Sequence, residues 1–190
     1  METRISRWWQ GVRTRLTPLA DAEACSADVL ESRLRACVAP YIAPDDAAAR
    51  VVLPAEFREQ VELVGATTWL GQRITLDFML FPAGAIAARF EHALSMWGSS
   101  DDGEDEQAGV KDAGVWLEFA QRGDHTVWFL CCDTARPEYG RVLEGDDAHP
   151  WLNGVAWLGD AFTLDAWRKR VREWPARART ACPSSSCART

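Results

Sequence analysis

The stretch ThrValTrpPheLeuCysCys, residues 126–132, restricts the fold more than any other part of the chain. It is an almost unbroken apolar run, as expected of a central strand covered on both faces. Turn chemistry bounds it on either side. ArgGlyAsp at 122–124 suits a hairpin loop, and AspThrAlaArgProGluTyrGly at 133–140 reads as a turn. Its neighbours are strand signals too. ValTrpLeuGluPheAla, 115–120, alternates, ArgValLeuGlu, 141–144, is a short strand, and 151–157 is a weaker one. An antiparallel sheet over these four segments is expected, with helices on one face.

Helical periodicity surrounds that strand block. Over 21–39, Leu30, Leu34 and Val38 recur at i, i+4, i+8, and Pro40 and Pro44 end the pattern. Over 51–64, Pro54 suits the first helical position, Phe57, Val61 and Val64 share a face, and Gly65 closes the helix. Residues 68–81 look extended, with a break at Gly71. Pro82 then opens a helix to about Trp97, built on Ile86, Phe90, Ala93 or Leu94, and Trp97. In the last helix, 160–174, Thr163 is the expected N-cap. Phe162 and Trp167 suit a hydrophobic staple, and Pro175 is the expected stop. Helices, then mostly antiparallel strands, then a terminal helix make an α+β fold rather than alternating βαβ units. One domain is expected over 19–174, with a basic Trp-containing arm at 1–18, docked or flexible, and a disordered basic Cys/Ser tail at 175–190.

Charge bears on partners. The net charge is −7, which argues against non-specific nucleic-acid binding. Residues 1–18 and 175–190 each carry +3, so the body between them carries −13. A body this acidic steers basic partners toward itself. No apolar run approaches about 18 residues, so no membrane span is expected. No secretory signal pattern is visible at the N-terminus, so the expected location is cytoplasmic.

The six cysteines lack the spacing of a disulfide framework or a zinc site. Cys25 and Cys37 fall in a helical pattern and read as small core residues; Cys131 and Cys132 end an apolar strand; Cys182 and Cys187 lie in the tail. None of the common nucleotide, hydrolase or metalloprotease motifs is present. The three histidines, His92, His125 and His149, join no obvious set. A Cys132–His149 nucleophile pair is one reading, set against the inertness of buried thiols. Asp146, Asp147 and His149 lack a further metal ligand nearby, and the acids of 98–110 lack the register of a calcium loop. No catalytic residue, cofactor or metal is therefore expected.

From residue 50 to 174 the order of elements resembles the SUKH superfamily, the bacterial immunity proteins grouped with the yeast cell-wall-assembly regulator. LeuProAlaGluPheArgGlu, 53–59, is similar to the family's opening helix. GlyAspHisThrValTrpPheLeuCysCysAsp, 123–133, looks like its Gly-Asp hairpin and apolar strand ending in Asp. GlyArgValLeuGlu, 140–144, and AlaPheThrLeuAspAlaTrp, 161–167, are similar to its Gly-x-Val strand and closing helix. The chain departs from the family in Ala66 for a second Gly, Ala161 for Ser and Trp167 for Phe. The resemblance implies a non-catalytic domain that neutralises a cognate toxin, commonly a nuclease or deaminase. Nuclease toxins are basic because they bind phosphate backbones, which agrees with the acidic body. The expected contact residues are Trp97, Asp101, Asp102, Glu104, Asp105 and Glu106, then Glu144, Asp146, Asp147 and Trp151. The alternative from the residues alone is a cytoplasmic regulatory or scaffold domain that binds an endogenous protein.

Overall fold

The computed structural model describes residues 2–21, 25–71, 78–97, 114–123, 125–145 and 161–180. They form an α+β fold: six helices and a seven-stranded antiparallel sheet. The helices are α1 (Arg4–Arg13), α2 (Ala27–Val38), α3 (Pro44–Arg50), α4 (Ala55–Val64), α5 (Ala83–Trp97) and α6 (Leu164–Thr180). The strands are β1 (Thr17–Asp21), β2 (Thr67–Gly71), β3 (Phe78–Leu80), β4 (Trp116–Arg122), β5 (Val127–Cys131), β6 (Arg141–Gly145) and β7 (Phe162–Thr163). Each strand pairs with the next in sequence, so the sheet is a meander. No described helix is long and apolar enough to cross a membrane.

Strand β5 behaves as its composition demands. Trp128 and Leu130, with Cys132 just beyond the strand, point into the main core, while Val127, Phe129 and Cys131 join a second cluster with Trp116 and Leu143 on the opposite side. All six helices contribute residues to the main cluster, which places them on one face of the sheet. Trp167 of α6 is its centre, fully buried. Its ring meets Phe119 at 4.7 Å, Trp8 at 5.8 Å, Trp128 at 6.1 Å and Phe78 at 6.2 Å between centroids. Thr163 caps α6, its Oγ1 accepting from the Ala166 amide at 3.1 Å. Phe162 is half-buried, with its ring 4.0 Å beneath the Arg170 guanidinium.

The arm, expected to be either docked or flexible, is docked: α1 buries Ile5, Trp8, Trp9 and Val12, and Trp8 reaches the core through Trp167. Other expectations need correction. The helix expected from 21 begins at Ala27, because Ser26 is its N-cap and accepts from the Val29 amide at 3.3 Å. The chain before it forms an edge strand instead, whose register shifts between Pro18 and Ala20. The next helix starts at Ala55 with Pro54 as its N-cap, since Val51 pairs with Asp133 in an isolated bridge and the Val52 amide donates to the Cys132 carbonyl just past β5. Between Pro40 and Pro54 lies α3: Pro44, expected as a stop, instead opens this helix, because a proline fits the first helical turn equally well. The extended reading of 68–81 with a break at Gly71 agrees with the described residues: β2 ends at Gly71, and β3 pairs with it antiparallel. Pro175 does not end α6, which runs to Thr180. A helical proline removes one backbone bond, and the Ala-Arg alternation after it favours helix. The strand expected at 151–157 lies outside the described residues, and the last pairing described is β6 with β7.

Candidate functional site

Of the expected contact residues, Glu144 alone has a described side chain. It sits on β6, where its carboxylate accepts from the Trp128 indole at 3.1 Å and from Arg170 at 3.1 Å. That ties the sheet to α6 and commits the group internally. Trp97 is the last residue of α5, and its side chain is outside the described set. Asp101, Asp102, Glu104, Asp105, Glu106, Asp146, Asp147 and Trp151 lie outside the described residues, as does His149.

Three of the four described thiols are held toward their protonated form. Cys131 and Cys132 are fully buried. Burial pushes the Cys131 thiol up to about 12 and raises Cys132 well above its ordinary value, with nearby negative groups adding to it. Cys37 is raised by burial and by the charge of Glu91. A thiol held protonated is a poor nucleophile and a poor metal ligand. His92 and His125 are exposed, and no group of three His, Cys, Asp or Glu suited to a metal occurs among the described residues.

Instead of a reactive set, the core margin holds ionic clasps. Asp133 is fully buried and takes a two-point contact from Arg50, Nε to Oδ1 at 3.1 Å and Nη2 to Oδ2 at 2.6 Å. The Ala135 amide also donates to it at 3.0 Å. Thr134 completes the clasp, its amide bonding the Arg50 carbonyl at 2.8 Å and its hydroxyl the Ala49 carbonyl at 3.0 Å. The aspartate that ends the apolar strand therefore fastens α3 to the sheet. Gly114 is required beside it: its φ is +81°, and a Cβ there would lie 2.9 Å from Arg136 and 3.1 Å from the Asp133 carboxylate. Glu31 is a second clasp, accepting from the Leu53 amide at 2.8 Å and pairing Arg58 at 2.7 Å and Arg35 at 2.6 Å.

A third ionic region has a different character. Helices α1 and α6 lie side by side and enclose a groove of about 510 Å³. The α1 wall is Arg4, Arg7, Trp8 and Gly11; the α6 wall is Asp165, Arg168, Lys169 and Arg172. Each set follows i, i+3, i+4, i+7, so each is one helical face. At one end the charges are paired. Arg4 meets Glu56 at 2.7 Å and Asp165, while buried Arg168 bonds Gln60 at 3.1 Å, Glu56 at 3.0 Å and Asp165 at 3.2 Å. At the other end Arg7, Lys169 and Arg172 are exposed, and none has an acid, carbonyl or ring partner for its charged group among the described residues. Sequence reading saw basic charge near both chain ends. It could not see that the fold sets α1 against α6.

No protein-family description, no curated protein and no solved structure matches the chain.

Proposed function

We propose that this chain is a non-catalytic protein-binding domain that captures a basic protein through its acid-rich segments, as the SUKH resemblance implies for an immunity protein and its cognate nuclease or deaminase toxin. The observation that carries this reading is the distribution of charge. The two terminal segments, 1–18 and 175–190, carry +3 each, while the residues from 19 to 174 carry −13 in sum. Two acid-rich stretches, Asp101–Glu106 and Asp146–Asp147, supply much of that excess. Opposite charge on two partners raises their association rate, and salt weakens it because exposed charges are screened beyond about 8–10 Å. The buried, protonated thiols favour binding over nucleophilic turnover.

The test is association kinetics with the product of the adjacent gene at two salt concentrations. The wild type is compared with a variant carrying Asn or Gln at Asp101, Asp102, Glu104, Asp105 and Glu106. The expected result is tight binding that slows with salt and slows again in the variant, with an unchanged melting midpoint. Binding indifferent to both changes would overturn the acid-steered reading. An adjacent product that is no toxin and does not bind would replace it with the regulatory or scaffold reading.

A further inference from the structure

We propose that the groove between α1 and α6 is a binding site for a small organic phosphate, with the phosphate held by Arg7, Lys169 and Arg172. This inference stands apart from the acidic segments and from the protein partner they would hold.

The first support is an imbalance of partners. Every other arginine whose side chain is described has a partner. Arg13 lies over the Trp69 ring, Arg15 donates to the Arg172 carbonyl, Arg122 to Thr126 and Arg141 to the Ala161 carbonyl. The remaining arginines pair with carboxylates, as at Arg33–Glu91, Arg89–Glu118 and Arg136–Glu138. The chain has 28 acidic residues against 21 Lys and Arg, so carboxylates are not scarce. The three unpartnered cations nevertheless line one groove, with Lys169 and Arg172 three residues apart on one helix face. Like charges so spaced repel each other, and an anion between them reverses the sign of that interaction.

The second support is Gly11. It lies inside α1 on the groove wall, where glycine weakens a helix relative to alanine. Packing does not demand it, since a Cβ there would meet nothing within 4 Å. Its effect is to leave space beside the three cations. The third support is that the site is preformed. Arg168 is 3% exposed and bonds α4 through Gln60 and Glu56, and the Trp8 indole donates to the Arg168 carbonyl at 3.1 Å. Both walls are therefore fixed before a ligand arrives.

The chemistry narrows the ligand. Two guanidinium forks and an ammonium suit the several oxygens and double charge of a phosphate better than a single carboxylate. The volume of about 510 Å³ is that of a small-molecule site, and Ile5 and Trp8 give part of its lining an apolar surface. Toward Arg4 and Asp165 the charges cancel, so the phosphate belongs at the Gly11 end and the organic portion at the other. A long polyanion is disfavoured. It would run beyond the groove along a molecule of net charge −7, whereas a compact phosphate sits within the screening length of the three cations.

The test is calorimetric titration of the full chain with adenosine diphosphate, pyrophosphate and inorganic phosphate. A single-stranded oligonucleotide and anionic phosphatidylserine vesicles serve as further arms. One adenosine diphosphate per chain is expected, with a dissociation constant below about 1 mM, displaced by pyrophosphate. Lys169→Ala with Arg172→Ala should weaken it by about tenfold or more, a loss of about 1.4 kcal/mol per tenfold. Gly11→Glu, which places a carboxylate in the gap, should abolish it. A melting curve establishes that each variant is folded; if Gly11→Glu is not, Gly11→Gln takes its place. Absence of binding by all three phosphates would overturn the proposal. So would binding unaffected by the Lys169 and Arg172 changes, or preference for the oligonucleotide or vesicles over the small phosphates.

Discussion

The Arg50–Asp133 clasp and the Arg7–Lys169–Arg172 cluster draw on the same side-chain chemistry and treat it in opposite ways. Asp133 has no exposure at all, and its two oxygens accept from Arg50 and from the Ala135 amide. Removing a carboxylate from water is costly, and that cost is offset only where the partners are fixed and complete. The clasp meets this condition because helix α3 ends against the end of β5. The groove cluster meets the opposite one: its cations are exposed, and no carboxylate pairs with them among the described residues. Buried charge in this protein fastens helices to the sheet, whereas exposed charge in the groove is left available.

Two large effects test the first half of that contrast. Trp167→Ala should be the most damaging, destabilising the fold by about 3–5 kcal/mol, as for large aromatics removed from cores. Among the described residues its ring touches four other aromatic rings and its buried indole nitrogen has no hydrogen-bond partner, so packing dominates its contribution. Denaturant unfolding measures it, and a loss no larger than a surface substitution gives would refute the central role of Trp167. Next comes Arg50→Met, which strands a buried carboxylate and should cost about 3 kcal/mol. Asp133→Asn should cost less, because Arg50 is 23% exposed and can turn to water. Equal losses at the two positions would mean that burial is not what distinguishes them.

The sequence made the periodic elements legible and hid the contacts made across space. Strand β5, the Ile86–Phe90–Leu94 face of α5 and the Thr163 cap all announce themselves in local order, because period and capping are local properties. Helix α1 was harder to read: ten residues beginning with Arg and carrying TrpTrp look like an arm until Trp167 is seen to receive them. The closing Asp of the apolar strand was visible as a residue, but its partner lies 83 positions away. The groove was least legible of all. Its two walls come from opposite ends of the chain, and each alone is an ordinary basic helix face.

The smaller effects test the second half of the contrast. Arg168→Met should cost about 2 kcal/mol, the range for hydrogen bonds to a charged group, since Glu56 is half-exposed and recovers water when its partner is lost. Gly11→Ala should do the reverse and stabilise the chain by about 0.8–1 kcal/mol, the difference in helix propensity between the two residues. A Cβ at that position has room, so thermal melting should show a gain. A loss instead would mean that some packing role for Gly11 had been overlooked, and the open gap would need another explanation.

The smallest effect is the most discriminating. Lys169 follows Arg168 directly and sits on the same helix, yet Lys169→Met should change stability by no more than about 0.5 kcal/mol, as for surface positions without partners. Arg168 is buried against Gln60 and Glu56, while Lys169 projects into the groove with nothing opposite it among the described residues. The charge should also register in the salt dependence. Screening weakens the repulsion among Lys169, Arg172 and Arg7, so added salt should stabilise the wild type slightly more than Lys169→Met. Melting curves at low and high ionic strength measure both quantities. If Lys169→Met proves as damaging as Arg168→Met, the groove cations are structural, and the division between fastening charge and available charge fails.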